Sequence, residues 1–124
     1  MPITAGEVFA LAMTLMDEVS EDDTFDGYPD EYKKKAWDLI SILQSELLPP
    51  NVIPNQITNL SDELQLDDRS CINVLPYGLA SHLLISEDIE KAGFFNARYD
   101  ELKRKQVASV IQITDIYNPW GGGV

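Results

Sequence analysis

Apolar residues recur at helical spacing in four blocks, separated by polar or proline-containing stretches. In the first block Val8, Leu11, Ala12, Leu15 and Val19 line one face, which predicts a helix over Ala5–Val19. Thr4 and Glu7 stand at its start with the spacing of a capping box, where a hydroxyl and a carboxylate each satisfy an otherwise free backbone N–H. Met13 and Met16 fall off this stripe and read as adaptable core filler. The second block places Tyr32, Ala36, Leu39, Ile40, Leu43 and Leu47 on one face. Pro29 stands at the favoured first position, and Asp30 and Glu31 lie where the helix dipole prefers acids. Trp37 adjoins that stripe and reads as a cover for the core edge. Pro49-Pro50 ends the helix, and Asn51–Asn59, with Pro54 inside it, reads as irregular chain crossing the surface.

The third block, from about Asp67 to Ile85, is apolar on nearly every side, the mark of a buried rod on which other helices pack. Ser61-Asp62-Glu63 reads as a turn leading into it, and Asp67 or Asp68 can cap it. Pro76 lies inside the rod, where it removes a hydrogen bond and predicts a kink. Gly78, two residues on, predicts a close helix crossing. The fourth block, from about Ile89 to Lys105 and capped by Asp88, is amphipathic, with Ala92, Phe95, Tyr99 and Leu102 at steps of three and four. After Lys105 the period changes. Val107–Tyr117 alternates loosely, is rich in β-branched residues, and is followed by Asn118-Pro119-Trp120 and three glycines, which predicts an extended arm. The expected architecture is all-α: a four-helix domain with a kinked central helix over residues 1–105, and a C-terminal arm over 106–124.

With 124 residues, 44% of them apolar and 24% charged, the chain is of the size and composition of one globular domain that folds without a disulfide or metal. Cys71 is the sole cysteine, which excludes an internal disulfide and suits a reducing compartment. No apolar run has the length of a membrane span and no signal segment opens the chain, so a soluble protein made in the cytoplasm is expected, with no membrane partner. Charge changes the picture more. The chain carries 21 acids against 9 Lys and Arg, for a net −12, and repels nucleic acid and anionic membranes at long range. From Asp17 to Glu31 there are acids and no base, whereas Lys33–Lys35 and Lys103-Arg104-Lys105 form small basic clusters. Opposite-sign patches of this kind suit side-by-side self-association and are also common in monomers, and the acidic excess has solubility as its competing reading.

Chemistry-bearing patterns are sparse. Asp22, Thr24 and Asp26 followed by Gly27 match the opening of a calcium loop, but Lys33 stands at position twelve, where a bidentate glutamate belongs. The segment therefore reads as a solvated turn. Cys71 and His82 lie on one helix about 16 Å apart, too far for a thiol–imidazole pair. No phosphate-cradling loop, zinc-spaced set or basic DNA-reading helix is present. The expectation is a protein that is not an enzyme and uses no cofactor or metal.

The runs ITNLSDELQLDD, VLPYGLASHLLISED and AGFFNARYDEL resemble the small all-helical head–tail connector (adaptor, or head-completion) proteins of tailed bacteriophages and prophages. The likeness covers about Ile57–Lys105, with Leu-Pro-Tyr-Gly-Leu-Ala in the third helix and Phe-Phe-Asn-x-Arg-Tyr in the fourth. Ile89 stands where that pattern has proline. The resemblance implies a virion protein at the head–tail junction, made in the bacterial host cytoplasm, that forms a cyclic homo-oligomer between portal and tail-completion proteins. DNA would pass it without specific binding. Candidate interface residues are Asp22, Asp23 and Asp26 in the acidic segment, Lys103, Arg104 and Lys105, and Ile111, Ile113, Ile116, Tyr117 and Trp120 in the arm. The competing expectation from charge alone is an acidic helical module that occupies a basic protein partner.

Overall fold

The computed structural model describes residues 2–18, 20 and 24–117, the stretch 107–117 as backbone only. Among these residues four α-helices follow in order: α1 (Ala5–Leu15), α2 (Asp30–Leu47), α3 (Leu75–Leu84) and α4 (Ile89–Tyr117). The all-α expectation holds. α3 lies in the middle and packs against each of the other three.

The capping box forms as predicted: Glu7 N–H donates to the Thr4 hydroxyl at 3.3 Å, and Thr4 N–H to the Glu7 carboxylate at 3.4 Å. The helix it opens is shorter than expected. Asp17 adopts a positive φ of 61°, its N–H donates to the Thr14 carbonyl at 3.1 Å, and the Glu18 N–H reaches back to Met13 at 2.8 Å. That pair of bonds is a Schellman termination, so α1 stops at Leu15, and Val19 lies outside the described residues. The buried stripe is also rotated. Ala5, Val8, Phe9, Ala12, Met13 and Met16 face the core, while Leu11 and Leu15 are half-buried. The methionines thus belong to the main stripe, where an unbranched thioether fills irregular space.

The long connection from Leu48 to Asp67 is irregular but closely tied. Ala5 and Gly6 donate N–H bonds to the Asp62 and Leu60 carbonyls, both at 2.8 Å, and Thr4 pairs with Glu63 in an antiparallel bridge. The free N–H groups at the start of α1 are therefore satisfied by the connection itself. Gly6 permits this: a Cβ there would stand 3.0 Å from the Leu60 carbonyl oxygen.

The expected kink in the rod takes the form of a π-helical turn. Ser70–Val74 are π-helical, and Leu75 N–H donates to the Ser70 carbonyl five residues back. In a regular helix the Pro76 ring would collide with the carbonyl of residue 72. The wider turn just ahead of Pro76 relieves that collision. The sequence predicts a rod buried all round, and the structure corrects this: Ile72 is 46% exposed, Ile85 59%, and His82 faces solvent.

Gly78 marks the crossing. A Cβ on it would lie 2.9 Å from the Tyr99 ring of α4 and 3.3 Å from Leu43 of α2. Beside it, the Ser81 hydroxyl donates to the Ala92 carbonyl at 2.9 Å. The corner into α4 is capped by Asp88, whose carboxylate accepts from Lys91 N–H at 3.1 Å.

The predicted extended arm is corrected over 106–117, because α4 continues without interruption through Tyr117. Once a helix is nucleated, each β-branched residue costs only a few tenths of a kcal/mol against the bond it propagates. No breaker appears before Pro119. Trp120 and the glycines lie outside the described residues.

Gly78→Ala is expected to destabilise the fold by about 1–3 kcal/mol, since the added methyl must displace a buried ring. Urea unfolding should show a lower midpoint with an unchanged slope.

Candidate functional site

Two charged ends and a groove are among the outward-facing features of the described residues. α2 sets the scale: its start is fastened to the α3–α4 corner, where the Tyr32 hydroxyl donates to Glu87 at 2.6 Å. Its end is fastened to α4, where the Tyr99 hydroxyl donates to Glu46 at 2.9 Å and Lys103 approaches the same carboxylate at 3.8 Å. Burial and the neighbouring carboxylate push both tyrosine hydroxyls above their ordinary pKa, so each remains a donor. Tyr32 and Glu46 are separated by roughly 20 Å of helix. The acidic segment around Asp26 thus sits at one end of the domain and Lys103-Arg104-Lys105 at the other. Among the described residues the structure does not bring Asp26 and Lys103–Lys105 together within one copy.

At the acidic end Asp26 is exposed, and Asp22 and Asp23 lie outside the described residues. Lys33 folds back over this turn. Its ammonium donates to the Asp26 carbonyl at 3.0 Å, pairs with Asp30 at 2.9 Å, and sits 5.4 Å from the Phe25 ring centre. Hydrogen bonding and charge from Lys33 hold the Asp30 carboxyl below its usual range. The residue at the twelfth position of the calcium-like pattern is therefore committed to stabilising the turn as a cation. Phe25 stacks on Trp37 at 5.4 Å, and both pack on Phe9, so Trp37 closes the core edge as predicted.

At the basic end Lys103 lies 5.1 Å from the Tyr99 ring centre, Arg104 is exposed, and Lys105 stands 3.9 Å from Glu101, which Arg98 also contacts. Ile111, Ile113, Ile116 and Tyr117 fall on the helical backbone of α4, beyond Gln106.

The groove was not foreseen. Leu11, Thr14 and Leu15 of α1 form one wall, Arg98 and Leu102 of α4 the other, and Ile72, Asn73, Pro76 and Tyr77 the floor, enclosing about 300 Å3. Through Asn73 and Leu102 it continues into a second hollow of about 540 Å3, bordered by Asp67, Arg69, Lys105 and Gln106. Arg98 lies over the Tyr77 ring at 5.9 Å. The signal available in the sequence was Leu11 and Leu15, two large residues on the edge of a stripe that Val8, Ala12 and their neighbours already fill.

A buried polar network was also missed. Gln44 is fully buried on the apolar face of α2. Its amide donates to the Asn55 side chain at 2.8 Å and its carbonyl accepts from Gln65 N–H at 2.7 Å, while Asn55 N–H donates to the Gln65 side chain at 2.7 Å. Ser41, one turn earlier, accepts from Ile57 N–H at 2.9 Å. A polar residue four beyond Ile40 on a buried stripe was the available clue. The Asp62 carboxylate ties down the same connection, accepting from Thr58 N–H at 2.7 Å, the Thr58 hydroxyl at 3.1 Å and Asn59 N–H at 3.2 Å.

Reactive groups stay apart. Cys71 is buried, and burial followed by the charges of Asp67, Asp68 and Glu7 pushes its thiol up to about 12. His82 is exposed. Among the described residues no three metal-ligating side chains converge, and no helix is long and apolar enough to cross a membrane. No family model matches this chain, and no curated protein or solved structure matches it either.

Gln44→Ala is expected to cost about 2–4 kcal/mol, since it opens a cavity and strands buried amide groups, and to increase hydrogen exchange at Gln65 first. Asp62 has its pKa lowered, chiefly by the Thr58 N–H. A depressed carboxyl pKa gives stability that is present above the unfolded value of about 3.9 and is lost as pH falls through the folded one. The Thr58 and Asn59 amide resonances should therefore step only below about pH 4, and Asp62→Asn should abolish that step.

Proposed function

We propose that the chain is a structural subunit of a tailed-phage or prophage head–tail connector, assembling as a ring at the junction of portal and tail in the virion. The observation that carries this reading is the separation of the exposed acids Asp26, Asp30 and Glu31, with Lys34 and Lys35 beside them, from the exposed Arg104 and Lys105 at the far end of the domain. A cyclic assembly needs a heterologous contact, one patch meeting a different patch on the next copy, and the Asp26 end and the Arg104–Lys105 end are two such patches. The residues behind the resemblance support it in a second way. Pro76, Gly78 and Tyr99 are packing residues that set the rod and its crossing, so the likeness concerns architecture rather than a reactive site. An overall net charge of −12 suits a wall past which DNA slides, because repulsion prevents the contacts that release counterions.

Light scattering and negative-stain imaging, with and without purified portal, test the reading. Rings are expected, and a monomer that neither closes into rings nor binds portal overturns it. If such a monomer instead captured a basic protein, the acidic binding module would be the better account. The double variant Arg104→Glu, Lys105→Glu is expected to lose the ring. Both side chains are exposed, so its melting temperature should match the parent, as surface changes usually stay within about 0.5 kcal/mol.

A further inference from the structure

We infer that the groove between α1 and α4 is the seat for the C-terminal helical extension, residues 107–117, of a second copy of this chain. The groove has the form of a helix site, with two helical walls and a helical floor on which Ile72 is 46% exposed and Tyr77 half-buried. From Arg69 to Tyr77 the floor runs about 12 Å, and the extension is about 16 Å long. At about 100° per residue, the apolar positions 107, 110, 111, 113, 116 and 117 fall within roughly 220° of the helical wheel, an arc that also holds Ser109 and Thr114, with Ala108, Gln112 and Asp115 on the remaining side. Such a helix face calls for a partner surface.

The chain's own groove is not available to it. Arg98 and Leu102, which form a wall of the groove, belong to the same uninterrupted helix as the extension. A continuous α4 carries residues 107–117 away from that wall, so the seat must be on another copy. Charge agrees with this occupant. Beyond Gln106 the sequence holds one acid, Asp115, and no base. The rim carries Arg69, Arg98 and Lys105 against Asp67, with Glu101 beside Arg98 and Lys105. In a chain of net −12 this rim is the place where an apolar, weakly acidic helix meets cations.

The inference rests on the ring reading only in requiring that copies associate, and the experiment separates the two. Full-length chain bearing Thr14→Cys and Ile113→Cys is oxidised mildly, with and without portal, beside a control bearing Ser45→Cys and Ile113→Cys; native Cys71 is buried and stays unreactive. Intermolecular disulfides are expected for the first pair and not for the control. Ile72→Asp and Ile111→Asp are each expected to weaken association at least tenfold by sedimentation, with helical circular dichroism unchanged. Cross-linked ladders beyond the dimer support both the seat and the ring, whereas cross-linking that stops at dimers supports the seat and overturns the ring. Association that survives Ile72→Asp without Thr14–Ile113 linkage overturns the seat alone. An intramolecular linkage also overturns the seat, and a wild-type chain that stays monomeric with and without portal overturns both.

Discussion

The absent side chain at Gly78 fixes the rest of the domain. Because nothing projects from the rod there, the Tyr99 ring can lie against its backbone, and Leu43 can approach from the other side. Tyr99 then reaches past the rod to place its hydroxyl on Glu46 of α2. A single close approach therefore joins three helices. Pro76 and the π turn before it set the course of the rod just ahead of that point, and the Ser81–Ala92 bond holds the antiparallel run beyond it. α1 also packs on the rod, and it is held in addition by its aromatic cluster and the backbone bonds of the long connection. The domain is thus a three-helix crossing with a fourth helix laid on it, and the groove is what remains between the fourth helix and α4.

Features governed by local chemistry were legible in the sequence. The Thr4–Glu7 box, the Asp88 cap and the Gly78 crossing each depend on a few adjacent residues and appear where the pattern places them, and α2 starts one residue later than read, with Pro29 as its cap rather than its first helical residue. Misreadings arose where tertiary context decides. In α1 two apolar stripes overlap, and choosing Leu11 and Leu15 over Phe9 and Met13 requires knowing where the rod lies. Gln44 looks like an interruption until Asn55 and Gln65 are brought to it from the irregular connection. The stretch after Lys105 misled for another reason: β-branched residues lower helix propensity only slightly, too little to stop a helix already running. Of the candidate interface residues, Asp26 and Lys103–Lys105 can be placed at opposite ends, and Ile111, Ile113, Ile116 and Tyr117 lie on a helix rather than on a strand, while Asp22, Asp23 and Trp120 lie outside the described residues.

Lys33 shows how a near-match to a binding pattern can be resolved by one position. Two carboxylates, a threonine and a glycine stand in calcium-loop order, yet the residue that should bring the strongest anionic ligand brings an ammonium group. That group bonds the Asp26 carbonyl and the Asp30 carboxylate, and it lies on the Phe25 ring. The turn is held closed by an internal cation. The Asp26 side chain stays exposed.

Net charge sets a further condition on any assembly of this chain. Copies carrying −12 each repel once their surfaces approach within the Debye length, about 8 Å at physiological ionic strength, and exposed ion pairs return little, about 0–1 kcal/mol each. Opposite-sign ends can orient two copies but cannot by themselves hold them. The holding free energy has to come from apolar burial at short range, at about 25 cal/mol per Å2. The sequence concentrates that resource beyond Gln106, in the part of the chain poorest in charge, and the fold leaves an apolar floor uncovered between α1 and α4. In the proposed assembly, orientation by charge and retention by an apolar helix would be separate tasks carried by separate residues, so an acidic surface does not preclude self-association.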